Sequence, residues 1–139
     1  MPEEFIFISQ DNIELLKKFI SLNTSENFTY YSKRNTDIIK NHVVTVILKN
    51  ENDIIGYGHL DDEYYIWLGL CVLENYTGKG YGKKIINFLF EQAKINKIKE
   101  LRLSVYAKNL TAFTLYKKVG FETLYVKNNS YYMVKKFIY

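Results

Sequence analysis

Three glycines at alternate positions, Gly78, Gly80 and Gly82, separate a run that alternates like a strand from a run that repeats like a helix. Upstream, Ile66, Leu68, Leu70 and Val72 fall on one face of an extended chain, with Trp67, Gly69 and Cys71 on the other. Downstream, Ile85, Ile86, Leu89, Phe90 and Ala93 make one apolar helical stripe. Glycine has no Cβ, so the backbone can turn sharply there and a ligand can approach the main chain. The first N–H groups of the helix lack intrahelical partners, and the helix dipole is positive at that end. Strand, glycine turn and helix start in this order suit an anion such as a pyrophosphate. Lys79, Lys83 and Lys84 add positive charge around the turn.

An isolated G-x-G-x-G can equally be a turn that only redirects the chain, so its surroundings decide. Two nucleotide-binding patterns are excluded. The P-loop needs a second glycine where this chain has Lys83, and the dinucleotide pattern G-x-G-x-x-G meets Lys83 or Ile85 in place of its last glycine.

The remaining elements follow from periodicity. Phe5 to Ile8 reads as a strand, and Ser9 and Asp11 are candidate caps for a helix carrying Ile13, Leu15, Leu16, Phe19 and Ile20. Residues 23–41 are less regular, and Phe28, Tyr30, Tyr31, Ile38 and Ile39 suggest one or two short helices. His42 to Leu48 and Ile54 to Leu60 form a hairpin, and an acidic turn at Asp61 to Glu63 leads into the strand Tyr64 to Val72. Leu101, Leu103 and Val105 mark another strand, and Ala112, Leu115, Tyr116 and Val119 a helix that stops at Gly120. Two strands around Asn128 and Asn129 close the chain. With no Pro- or Gly-rich linker, the expectation is one mixed-sheet α/β domain over 1–139.

Composition narrows the setting. An apolar content of 47% is enough for one core. Met1 to Gln10 lacks the basic start and apolar run of a secretion signal, and no run is long enough to span a membrane, so no membrane partner is expected. A single cysteine, Cys71, fits a reducing compartment, with the cytoplasm as the default. The net charge of +4 raises a nucleic-acid reading, but no recognisable motif accompanies it and none is expected as a partner. His42 and His59 with one cysteine make no metal site. The sequence leaves a homodimer open.

The segment Thr77-Gly-Lys-Gly-Tyr-Gly82 resembles the Arg/Gln-x-x-Gly-x-Gly/Ala signature of the GNAT superfamily of N-acetyltransferases, which lies between that family's fourth strand and third helix. A second block, Asn109-Leu-Thr-Ala-Phe-Thr-Leu-Tyr116-Lys-Lys-Val-Gly-Phe121, is similar to the family's later motif of Asn, Tyr and a closing Gly-Phe. The resemblance runs from about Ile54 to Phe121. It implies an α/β domain of the α+β type, with a mixed, mainly antiparallel sheet flanked by helices. Two positions depart from the pattern. Thr77 replaces the usual Arg or Gln, keeping a hydroxyl and a backbone N–H, and Glu74 replaces a common proline.

The resemblance implies acetyl-CoA as co-substrate. Leu70, Cys71 and Val72 would face its pantetheine arm; Thr77, Gly78, Lys79, Gly80, Tyr81, Gly82 and Lys83 would hold its pyrophosphate; Asn109 and Tyr116 would line it further along. The backbone N–H of Leu70 would stabilise the oxyanion, and Tyr116 would be the general acid for the leaving thiolate. Cys71, in an apolar strand, is expected to be a packed thiol. Some family members carry a glutamate where this chain has Trp67, which leaves the base open among Glu63, His59 and a water relay. The acceptor expected is the primary amine of a small molecule: an amino sugar, a polyamine or an amino acid. A protein N-acetyltransferase and a non-catalytic acyl-CoA-binding module are the alternatives.

Overall fold

A computed structural model describes residues 2–139. Strand β1 (Glu4–Phe7) leads into a 3-10 turn at Gln10–Asn12. There the Asp11 N–H donates to the Ser9 hydroxyl at 3.2 Å, and the Ser9 N–H donates to Asn12 Oδ1 at 2.8 Å. This reciprocal cap satisfies two otherwise orphaned donors at the entrance to α1 (Ile13–Leu22). Leu16 and Phe19 on the inner stripe of α1 are fully buried, each contributing about 1.5–3 kcal/mol.

The expectation of one or two short helices over residues 23–41 is only partly met: a single 3-10 helix forms at Thr36–Asn41. Asn23 and Ser25 side chains accept from the backbone N–H groups of Ser25 and Asn27, and such local bonds compete with a helical ladder. Phe28 and Tyr31 instead pack their rings toward the core beside α1.

Strands β2 (His42–Lys49), β3 (Ile54–Glu63) and β4 (Tyr65–Val72) form an antiparallel meander. The acidic run expected to be a turn is the end of β3. Asp61 pairs with Trp67 across the ladder, and the chain reverses at Tyr64, whose φ is 65°. Asp61 is buried with a hydrogen-bond partner, which extends the strand past the point where its charge predicted a loop.

Then come α2 (Tyr81–Ile95), β5 (Glu100–Tyr106), α3 (Leu110–Lys118), β6 (Glu122–Lys127) and β7 (Ser130–Lys136). Asn128 and Asn129, at φ 50° and 62°, make the final hairpin turn. Among the described residues seven strands are ordered β1-β2-β3-β4-β5-β7-β6, of which only β4 and β5 pair in parallel. The sheet is therefore mixed and mainly antiparallel, as expected.

Each face of the sheet is covered. One core joins α2 and Tyr116 of α3 to Leu68, Leu101 and Leu103, with Ile66, Leu70 and Val72 packed against it. The other joins α1 to Ile47, Tyr57 and Cys71. The alternation read along β4 thus divides its side chains between two cores. Gly56 and Gly58 of β3 let α2 approach: a Cβ there would meet Ile85 at 2.9 Å and 2.8 Å respectively. Among the described residues no helix is long and apolar enough to cross a membrane.

Candidate active site

Strands β4 and β5 share one paired position among the described residues, Trp67 with Arg102. After it the ladder stops, and Leu68 to Val72 line a cavity of about 1320 Å³ together with Val105, Asn109 and Tyr116. The same cavity reaches the glycine turn at one side and Tyr30, His59 and Asp61 at another.

The turn leaves free backbone donors at a helix start. Gly78 and Gly80 have φ of 75° and 86°, and a Cβ at either would meet nothing within 4 Å. Gly80 is the N-cap of α2 and supplies no capping side chain. The first helical bond runs from the Lys84 N–H to the Gly80 carbonyl at 3.2 Å, so the N–H groups of Tyr81, Gly82 and Lys83 precede the intrahelical ladder. These donors and the positive end of a 15-residue helix fit a pyrophosphate.

The lysines divide. Lys83 lines the cavity, whereas Lys79 does not; its ammonium lies 5.6 Å over the Tyr76 ring. Lys84 pairs with Glu3 at 3.0 Å. Thr77 lines the cavity, yet its hydroxyl donates to the Glu74 carbonyl at 2.9 Å and its N–H to the same oxygen at 3.3 Å. Both donors expected to face phosphate are turned into the 3-10 turn at Glu74–Tyr76.

Leu70, Cys71, Val72, Gly78, Gly80, Tyr81, Gly82, Asn109 and Tyr116 all line the cavity. Asn109 caps α3, its Oδ1 accepting from the Ala112 N–H at 3.3 Å, which leaves its amide nitrogen for a ligand. Tyr116 is 8% exposed, and burial, helped by nearby Cys71, pushes its phenol above the ordinary value. Cys71 is buried with its thiol against Asn23 Oδ1 at 3.5 Å, and burial pushes it up to about 12. It stays a thiol at neutral pH, as expected of a packed residue.

Of the candidate bases, Glu63 is exposed at the cavity and His59 is buried. His59 Nδ1 bonds the Tyr57 hydroxyl at 2.7 Å, and its ring fills the space left by Gly69, where a Cβ would collide with the imidazole. Burial, with smaller contributions from His42 and Arg34, holds His59 well below its ordinary value. Trp67 donates its indole N–H to the Glu63 carbonyl at 3.1 Å.

The two histidines predict an acid-sensitive fold. Burial and Arg34 hold His42 at about 4, although Asp61 stands 4.0 Å from its Nε2. Both rings are neutral when folded and take protons near 6.5 when unfolded, so the unfolded state binds more protons below that pH. Their contribution is complete above about pH 6.5 and is lost as pH falls toward 4, each unit of depression being worth about 1.4 kcal/mol. Urea midpoints should fall across this window, and a flat midpoint would refute the assignment.

Sequence reading missed Asp61. Tyr57, His59 and Asp61 alternate along one face of β3, a period-two signal obscured by treating the acidic run as a turn. Tyr30 and Tyr31, which complete the cluster, come from irregular chain where no period could point to them. Among the described residues no three His, Cys, Asp or Glu side chains gather as a metal-holding group.

Parallel strands paired at one position, a glycine turn at a helix start and a tyrosine on the following helix all meet at one cavity. The chain belongs to the Acetyltransferase (GNAT) family, whose model matches residues 11–121. It is 34% identical over 102 residues to the uncharacterized N-acetyltransferase YycN of Bacillus subtilis, covering 68% of this chain and 64% of that protein. It is also 34% identical over 83 residues to the spermine/spermidine N(1)-acetyltransferase of the same organism, covering 52% of this chain and 55% of that one. The matches thus span less than two thirds of either relative. The fold of the PaiA N-acetyltransferase from Thermoplasma acidophilum, solved in complex with coenzyme A, aligns with a TM-score of 0.78 at 22% identity, over 99% of this chain and 100% of that one.

Proposed function

We propose that the chain transfers the acetyl group of acetyl-CoA to the primary amine of a small molecule, by direct attack of the amine on the thioester. One observation carries this reading: a single cavity joins the glycine cradle, the unpaired edge of β4 and Tyr116. The family membership and the likeness to a coenzyme A complex support the donor, and the spermine/spermidine N(1)-acetyltransferase relative supports a small amine. Acetyl-CoA supplies the activated acyl group.

In this mechanism the N–H groups of Tyr81, Gly82 and Lys83, with the Lys83 ammonium, bind the pyrophosphate. The free edge of β4 from Leu68 to Val72 presents main-chain groups to the pantetheine amides, as an added strand would. Attack forms the N–C bond and builds negative charge on the carbonyl oxygen, which the Leu70 N–H stabilises. As the C–S bond breaks, Tyr116 gives its proton to the departing thiolate, and the proton lost by the amine passes through cavity water, with Glu63 beside it, to restore the Tyr116 hydroxyl. The buried, unpaired Cys71 suits a reducing compartment, and we assign the cytoplasm as the working location.

A panel of primary amines incubated with acetyl-CoA tests the reaction, read by thiol release and product mass. Free thiol that appears only when amine is present, with a product heavier by one acetyl group, is the expected result. Coenzyme binding without product from any amine would replace the enzyme with an acyl-CoA-binding module.

A further inference from the structure

Asp61 is 2% exposed, yet it lines the cavity. A carboxylate this deeply buried ordinarily has a cationic partner. Among the described residues no lysine or arginine pairs with it. Its Oδ2 accepts from the Tyr30 hydroxyl at 2.7 Å, and His42 is the nearest basic group.

His42 does not compensate it, because burial and Arg34 hold the imidazole at about 4 and it is neutral near pH 7. Tyr30 has one hydroxyl hydrogen, and a carboxylate can only accept, so that hydrogen goes to Asp61. The 2.8 Å contact between Tyr30 and His42 Nε2 is then donated by the imidazole, and in this neutral ring Nδ1 accepts from the Thr45 hydroxyl at 2.7 Å. Every hydrogen in the chain Thr45, His42, Tyr30 points toward Asp61, and the imidazole stays neutral. The Arg34 guanidinium lies 4.4 Å over the Tyr30 ring and donates to the Tyr30 carbonyl at 2.9 Å.

Around the carboxylate the cavity wall carries aromatic rings beside Arg34, whose guanidinium is engaged by the ring and carbonyl of Tyr30. Phe28 and Tyr30 line the cavity, and Trp67 stands directly across the β3–β4 ladder from Asp61. Ring faces beside a buried anion favour an organic cation.

The strand sets the distance to the chemistry. Trp67, opposite Asp61, lies three residues before Leu70 on β4, and that length of strand is about 10 Å. One nitrogen cannot both touch Asp61 and attack a carbonyl held at the Leu70 N–H. Hydrogen bonds of about 2.8 Å at each end, from an ammonium to Asp61 and from the Leu70 N–H to the carbonyl oxygen, leave about 4–5 Å, which a three- or four-carbon chain with a nitrogen at each end spans.

We propose that Asp61 seats a second ammonium group of the acceptor, so that the preferred acceptors are short aliphatic diamines and their longer polyamine homologues. The proposal rests on the acetyl-transfer reading and adds the acceptor class to it.

The test compares three acceptors of equal length, 1,3-diaminopropane, 3-aminopropanol and propylamine, on the wild-type chain and on Asp61→Asn. In the wild type the diamine should have kcat/KM at least about tenfold above the other two, because only it offers a charged donor to Asp61. In Asp61→Asn that advantage should fall below about threefold, with coenzyme affinity retained. Equal use of all three acceptors by the wild type overturns the proposal, and this comparison stands even if the variant does not fold. A diamine preference that survives in folded Asp61→Asn also overturns it. Turnover of none of the amines, with the coenzyme bound, would overturn the acetyl-transfer reading and this proposal together, which separates the two failures.

Discussion

Gly80→Val is expected to weaken coenzyme A binding by about 100-fold or more, equivalent to at least about 2.7 kcal/mol. Two causes add. Gly80 has a φ of 86°, which a β-branched residue adopts only with strain, at a cost of about 1–3 kcal/mol. Its missing Cβ faces space with no atom within 4 Å, at the turn where the free donors of α2 begin. An isopropyl group there would occupy the cradle and keep phosphate oxygens from the N–H groups of Tyr81 and Gly82. Calorimetry with coenzyme A measures the loss, and a thermal melt separates it from unfolding. A folded variant that binds as tightly as the wild type would show that the pyrophosphate is held elsewhere.

The parts of the site that could be read from sequence are those in which one residue type serves one local purpose. The glycine turn is legible because only glycine accepts both the positive φ and the close approach, and the alternation along β4 is legible because its two faces enter different cores. The stripe of α2 and the Asn-Asn turn before β7 follow in the same way. What could not be read depends on contacts between distant segments. Nothing local in Thr77 shows that both its donors turn back to Glu74, and nothing in three neighbouring lysines shows that Glu3 takes Lys84 while the Tyr76 ring takes Lys79. Asp61 misled for the same reason. Beside two other acids it looks solvated, and only Tyr30, arriving from 31 positions away, makes its burial tolerable.

Tyr116→Phe should lower kcat by about 100-fold or more while leaving coenzyme affinity within about threefold of the wild type. The ring belongs to the core, 5.9 Å from Phe121 in an edge-on contact, and phenylalanine keeps that packing, so the fold and the cavity wall should be retained. What is removed is one hydroxyl proton at the cavity. An ordinary phenol, with a pKa of about 10, is already protonated at neutral pH, and burial of Tyr116 moves it further in that direction. The group is therefore always charged with its proton when the thiolate departs, and a rate decline from its ionisation should fall only at strongly alkaline pH. Because the proton moves in the transition state and not on binding, kcat and kcat/KM should drop together. Steady-state rates with saturating acetyl-CoA and a responsive amine, beside coenzyme titrations of the same variant, make the measurement. A turnover within twofold of the wild type would assign the proton to water and leave Tyr116 as a packing residue. Coenzyme binding lost in parallel with turnover would instead make its hydroxyl part of the ground-state grip on the donor.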